Sequence, residues 1–243
     1  MQLPDPRKGL KGMVGRPVFL EARAPFELRA LRRSPLWQGE GVPAGNGRPV
    51  LVIPGFMSGA TKASALAHVL RAADWDVEVA DVGRNAGPAY TGVDAGAVGL
   101  ERLMDRTGER VTIVGHSRGG QMGRVLAVRT PHLVRKVIAV GAPLRTKYPP
   151  FVVVKVPAET LDRVWRSGVF GPVDLEREQE VDNDRYRPFP SDVELVSIYS
   201  RNDGIVDWRY SFDHDAHMVE ISGSHLGLIN SILSIQAIIE QID

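Results

Sequence analysis

The chain has 243 residues, and its 30 Lys and Arg against 29 Asp and Glu leave a formal charge of +1, too little to draw it to nucleic acid or to an acidic membrane. It has no cysteine, which excludes disulfides, thiolate metal sites and a cysteine nucleophile. No apolar run reaches the length of a membrane span, and Met1 to Arg16 lacks the apolar core of a secretory signal, so a cytoplasmic protein without membrane insertion is expected.

Residues 1–48 read as an N-terminal extension packed on the main body. A Pro/Gly-rich lead precedes an amphipathic stretch, Ala24 to Leu36, in which Phe26, Leu28 and Leu31 are interleaved with Arg29, Arg32 and Arg33. Gly39 to Pro49 is a turn-rich linker. From Val50 onward, short β-branched runs alternate with segments of helical period, which predicts one α/β domain over residues 49–243. The expected strands are Val50–Ile53, Val77–Ala80, Val111–Val114, Lys136–Val140, Glu194–Tyr199 and His217–Ile221. Helices are expected at Ser58–Ala72, Asp94–Arg106, Arg118–Arg129 and Leu226–Ile242. That pattern implies a mostly parallel sheet of about six strands with helices on both faces. Arg145 to Pro190 breaks the alternation and is too long for a bare loop. It reads as an inserted cap with helix near Ala158–Ser167 and a charged, solvated edge at Glu176–Asp184.

Within this frame, Gly115-His116-Ser117-Arg118-Gly119 fits G-x-S-x-G. The run Val111–Val114 before it reads as a buried strand, and Met122, Val125 and Leu126 after it repeat at helical spacing. A serine at such a strand-to-helix turn is raised above the sheet in a strained backbone, with the helix N-terminus aimed at the reaction centre. Ser117 is therefore the expected nucleophile.

A serine hydroxyl needs a base, and the base needs a carboxylate to hold its tautomer. Of six histidines, His68 lies in a helix, His116 points away inside the elbow, and His132, His214 and His217 sit at the wrong strand ends. His225, in Ser222-Gly223-Ser224-His225-Leu226-Gly227, follows the last strand at its carboxyl end, where ligands gather in open sheets. The acid should follow the preceding strand, where Asp203 and Asp207 compete. Asp203 is favoured because Asp-Gly makes a tight turn. The oxyanion hole of such a site takes one backbone N–H after the first strand and one after the nucleophile, here Phe56 and Arg118.

Two lookalikes are set aside. Gly55 to Lys62 follows a strand as a phosphate loop does, but without the required Gly spacing. Asp213-His214-Asp215-Ala216-His217 packs four possible ligands into five residues, yet residues entering a strand alternate sides and cannot all converge. A solvated turn and no metal are expected there.

With these motifs in place, the chain resembles the small bacterial lipases and esterases of the α/β-hydrolase superfamily, over roughly Val50 to Asp243. The resemblance rests on Ile-Pro-Gly-Phe, Gly-His-Ser-Arg-Gly-Gly, Ser-Ile-Tyr-Ser-Arg-Asn-Asp-Gly-Ile-Val and Gly-Ser-His-Leu-Gly-Leu. The last two are similar to the acid and histidine loops of minimal triacylglycerol lipases, which implies Asp203 and His225. Pro54 stands where many such lipases have histidine, and the smallest of them lack the cap and the N-terminal extension.

The expected reaction is ester hydrolysis through an acyl-enzyme on a small acyl substrate, with no cofactor. Amide, thioester and acyl-transfer chemistry use the same parts. A reading of a different class is a catalytically silent fold that serves as a binding module. Trp165 and Phe170 in the cap are expected to line the acyl pocket.

Overall fold

The computed structural model describes residues 18–58, 64–146, 160, 163–164, 167 and 172–243. Six strands form one parallel sheet: β1 Pro49–Ile53, β2 Asp76–Val79, β3 Val111–His116, β4 Val134–Val140, β5 Glu194–Tyr199 and β6 Ala216–Glu220. Their order is β2-β1-β3-β4-β5-β6. The α-helices whose bounds fall among the described residues are α1 Ala24–Arg32, α2 Ser64–Ala72, α3 Ala89–Thr107, α4 Arg118–Arg129, α5 Leu175–Asp184 and α6 Ile232–Ile242.

Alternation along the strands divides the core into two layers. Val50 and Val52 of β1 pack with Leu66 and Leu70 of α2 and Ile235 and Ile238 of α6. Leu51 and Ile53 point the other way, onto Leu100 and Leu103 of α3 and Val125 and Leu126 of α4. Both faces are covered at the middle of the sheet, which is why β1 and the start of β3 read as continuous apolar runs. The chain leaves β1 for β2 on one side and returns to β3 on the other. The gap between the ends of β1 and β3 is thus a topological switch point, where open α/β sheets place ligands.

The expected strands and the helix Arg118–Arg129 fall where the structure has them, within about two residues at the ends. Several helix boundaries differ for identifiable reasons. Helix α3 starts at Ala89 rather than Asp94, because Pro88 supplies its N-cap and its glycines dilute the apolar period. The expected helix from Leu226 is broken: a 3-10 turn, Gly227–Ile229, precedes α6, whose start is a capping box between Ser231 and Ser234. In the N-terminal stretch, Leu31 is fully buried and Leu28 packs beside it, whereas Phe26 is 75% exposed and does not join the apolar face.

Two expected solvated segments are corrected. Residues 176–184 belong to α5, and its Glu178, Val181 and Asp184 are buried. The Glu178 carboxylate accepts the Ala89 N–H at 2.7 Å and so satisfies the start of α3. The second correction is Asp213, which is 2% exposed. It accepts Arg124 Nε at 2.9 Å and two bonds from Arg145, both at 3.0 Å. Burial pushes its carboxyl pKa up, but the hydrogen bonds from Arg145 and Arg124 outweigh that and hold it below the ordinary value. His214 and His217, its neighbours, are exposed. Trp165, Phe170 and most of Ala158–Ser167 lie outside the described residues.

Candidate active site

Strand β3 ends at His116 and α4 begins at Arg118, leaving Ser117 alone to turn the chain. Its φ of 53° and ψ of −120° are the strained combination expected of a nucleophile elbow, a conformation costing on the order of 1–3 kcal/mol. The turn is tight enough to dictate its neighbours. A Cβ on Gly119 would lie 2.1 Å from the Ile53 carbonyl oxygen, and one on Gly115 would lie 2.5 Å from the Gly119 carbonyl. The strain is held in place by backbone bonds: the Ser117 N–H donates to Val140 O at 2.8 Å.

One residue beyond Val140, Gly141 carries the other two expected residues above it. A Cβ at Gly141, whose φ is +56°, would come within 3.3 Å of Asp203 Oδ2 and 3.4 Å of His225 Nδ1. These two atoms are themselves 2.7 Å apart, and both side chains are buried. A carboxylate can only accept, so Nδ1–H donates and the Nε2 lone pair remains available. The other Asp203 oxygen accepts the N–H groups of Ile205 at 2.8 Å and Val206 at 2.6 Å, which fixes the carboxylate's aim. Burial pulls the His225 pKa down, but Asp203, with a smaller contribution from Glu21, outweighs it and leaves the imidazole above its ordinary value. Asp207 is elsewhere: it caps the 3-10 turn Trp208–Ser211 and pairs with Arg209.

The expected oxyanion loop reaches the same point. Ser58 N–H closes a turn onto Gly55 O at 3.1 Å, with Phe56 and Met57 at its tip and Met57 at a φ of 55°. A Cβ on Gly55 would lie 3.1 Å from the Ser117 Cβ, so this loop passes directly against the serine. An open cavity of about 520 Å³ borders it, between Leu28 of α1, Pro54, Gly55, His116 and Leu226.

Three supporting groups escaped the sequence reading. Asn85 Nδ2 donates to Pro54 O at 2.7 Å, bracing the loop after β1. The Arg118 guanidinium donates to Asn85 O at 2.8 Å and Gly87 O at 2.7 Å, tying that brace to the elbow. The ring of His116 lies 4.7 Å from the His225 ring, centroid to centroid, and its Nδ1 and the Ser117 Cβ both border the space beside Gly55. Its Nε2–H donates to His225 O at 3.0 Å. Burial, reinforced by His225, lowers its pKa to about 3, so it is a neutral donor at physiological pH. Asn85 adopts a φ of 50°, which Asn tolerates, and its place in the Gly-rich run Gly83-Arg84-Asn85-Ala86-Gly87 was the local sequence sign of it.

The remaining histidines lie elsewhere. His68 stacks on Trp37 with ring centroids 3.9 Å apart, and His132, His214 and His217 are exposed. Among the described residues no three His, Asp or Glu side chains converge as a metal site. No helix among them is long and apolar enough to cross a membrane.

Comparison with known proteins agrees with this architecture. None of the curated proteins matches the sequence. Among solved structures, a Bacillus licheniformis lipase is similar at 14% identity and a TM-score of 0.61, over 84% of this chain and 96% of that one. A metagenomic carboxyl esterase is similar at 14% identity and a TM-score of 0.59, over 93% of this chain and 84% of that one. A thioesterase domain from the curacin biosynthetic pathway is similar at 16% identity and a TM-score of 0.55, over 82% and 92% respectively. These likenesses are ones of fold. The sequence model of the alpha/beta hydrolase fold matches residues 48–170, half of the chain, from β1 through the elbow and β4. The strained serine after the third strand thus occurs within the family's own matched span, and the chain belongs to the α/β-hydrolase fold family.

Proposed function

We propose that the protein is a serine hydrolase that cleaves a carboxylic ester of a small acyl substrate. The reading is carried by the hydrogen bond between Asp203 and His225, held over the end of β4 beside the strained Ser117. Two unrelated side chains meeting there at 2.7 Å is what nucleophilic acyl transfer requires of its base and orienting acid.

In this mechanism Ser117 Oγ attacks the ester carbonyl as His225 Nε2 takes its proton. Asp203 keeps the tautomer and stabilises the imidazolium. The carbonyl π pair moves onto oxygen, which the Phe56 and Arg118 N–H groups receive. Collapse of the tetrahedral intermediate breaks the ester C–O bond, and the leaving alcohol takes the proton from Nε2. Water then repeats the sequence on the acyl-enzyme and frees the acid and Ser117. Trp165 and Phe170 line the acyl pocket in this reading, as their place in the inserted segment suggests.

Fluorophosphonate treatment followed by intact-mass and peptide analysis tests it. One adduct on the peptide containing Ser117, absent in Ser117→Ala, is expected, with turnover on nitrophenyl esters exceeding that on thioester and anilide analogues. An adduct that persists in Ser117→Ala removes the serine from its role, and faster thioester turnover moves the substrate class. A chain that neither labels nor turns over any of these substrates is a silent binding module.

A further inference from the structure

The N-terminal segment reaches into the candidate site with one carboxylate. Glu21, in the 3-10 turn Val18–Arg23, is 8% exposed. Its Oε1 accepts the His225 N–H at 2.9 Å and the Gly204 N–H at 3.2 Å, and its Oε2 accepts the Leu226 N–H at 2.8 Å. His225 and Leu226 belong to the loop after β6, and Gly204 follows Asp203 in the loop after β5. One side chain, some two hundred residues away in sequence, therefore fastens both loops to each other. The next turn adds a second fastening, since Ser224 Oγ donates to Glu27 Oε2 at 3.1 Å.

We propose that Glu21 is a positioning residue for His225: it sets the imidazole's place against Ser117 and Asp203, and its charge supports the imidazolium formed during acyl transfer. The inference rests on the proposed hydrolase reading for its kinetic consequences, but the placement of the ring can be observed without turnover. A buried carboxylate is tolerated only where hydrogen bonds replace its water, and three backbone N–H groups do so here. The groups facing the imidazole are Asp203 from the β5 loop, Glu21 from the N-terminal turn, and neutral His116 from the end of β3, with Glu27 of α1 one residue removed. Asp203 bonds the ring itself, whereas Glu21 holds the backbone on which the ring is carried, so the two losses should differ.

The test compares Glu21→Gln, which keeps the shape but loses the charge and one of the two acceptor oxygens, with Glu21→Ala, which loses every bond. His225 is titrated by NMR on protein labelled at the histidine ring carbons, and labelling of Ser117 by a fluorophosphonate is timed across pH. In Glu21→Gln the His225 pKa and the acidic limb of labelling should both move to lower pH, because a nearby negative charge that favoured the imidazolium is gone. In Glu21→Ala the pH-independent labelling rate should also fall, by about tenfold or more, as expected when a reacting group loses its placement by a fraction of an ångström. On an ester substrate the loss should appear in kcat with KM little changed, since Glu21 acts on the base. A His225 titration and a labelling limb identical to the parent's in both variants would overturn the proposal. So would loss of cooperative unfolding in both, which would assign Glu21 to fold stability alone. If the parent itself is not labelled at Ser117, the hydrolase reading fails, while the NMR titration still decides whether Glu21 acts on His225.

Discussion

Replacing Asp213 by Ala should be among the most destabilising single changes in the described part of the molecule. Arg124 is fully buried in α4, and its Nε bonds Asp213 while its remaining donors go to backbone carbonyls, among them Arg187 O at 2.9 Å. Removing the carboxylate strands that guanidinium without a counter-charge, a loss of about 3–5 kcal/mol for a broken buried pair. Arg145, a quarter exposed, regains water and adds little to the loss. For a chain of this length each kcal/mol moves Tm by roughly 2–4 °C, so the drop should be roughly 6–20 °C. Thermal and urea unfolding by circular dichroism measure it. The pair as a whole is a different matter: Arg124→Met with Asp213→Leu removes both charges and should recover most of the loss, because paired burial contributes little net stability. The sign with pH follows from the depressed carboxyl. Its contribution is complete above the unfolded value near 4 and is lost as pH falls through the folded value below that. The parent should therefore lose stability below about pH 4 more steeply than Asp213→Asn does. A fall of under about 2 °C in Asp213→Ala, or a double variant as unstable as the two single losses added, would refute this account of the network.

Three further outcomes concern the site. Asp203→Asn should lower kcat by about ten-thousandfold, the cost of losing the orienting acid, while Asp207→Asn keeps most activity; steady-state ester hydrolysis ranks them. The base must be neutral to accept a proton, and His225 is held above its ordinary value. The acidic limb of kcat/KM should then be a single ionisation above pH 6.5, read from a pH–rate profile. Trp165→Ala and Phe170→Ala should shift the preferred acyl length on graded nitrophenyl esters and leave fluorophosphonate labelling of Ser117 intact, each sheltered methylene being worth about 0.8 kcal/mol.

The inner strands were the most legible because both faces of the sheet are covered there, so β1 and the start of β3 read as apolar, β-branched runs, whereas the edge strands β2 and β6 carry Asp76, Glu78, His217 and Glu220. Helix boundaries were less so, for local reasons. In α3 the glycines sit where the helix meets its neighbours: a Cβ on Gly96 would come 2.6 Å from Leu126 Cδ1. Residues that fit by being small leave no apolar period to count. The break before α6 was signalled by Ser231 and Ser234, but a serine at the third helical position is a weaker sign of a capping box than the usual Glu or Gln. Asp213 and Glu178 were read as solvated because charged residues in a polar run usually are. What buries them is a partner distant in sequence: Arg124 is 89 residues away, and so is the Ala89 N–H.

The same division explains which parts of the candidate site could be read. The roles proposed for Ser117, Asp203 and His225 are ones only a few side chains can fill, and each follows a strand, so residue type and place together single them out. Glu21, Asn85 and His116 bond mainly to backbone atoms: an N–H of His225 at 204 residues' separation, a carbonyl of Pro54 at 31, and a carbonyl of His225 at 109. A backbone donor or acceptor is present at nearly every position and leaves no mark of its own in the sequence. The supporting shell is therefore visible only once the sheet has gathered its carboxyl ends. The N-terminal turn Val18–Arg23, which precedes the amphipathic stretch and carries no signal of its own as sequence, then turns out to meet the His225 loop with a buried carboxylate.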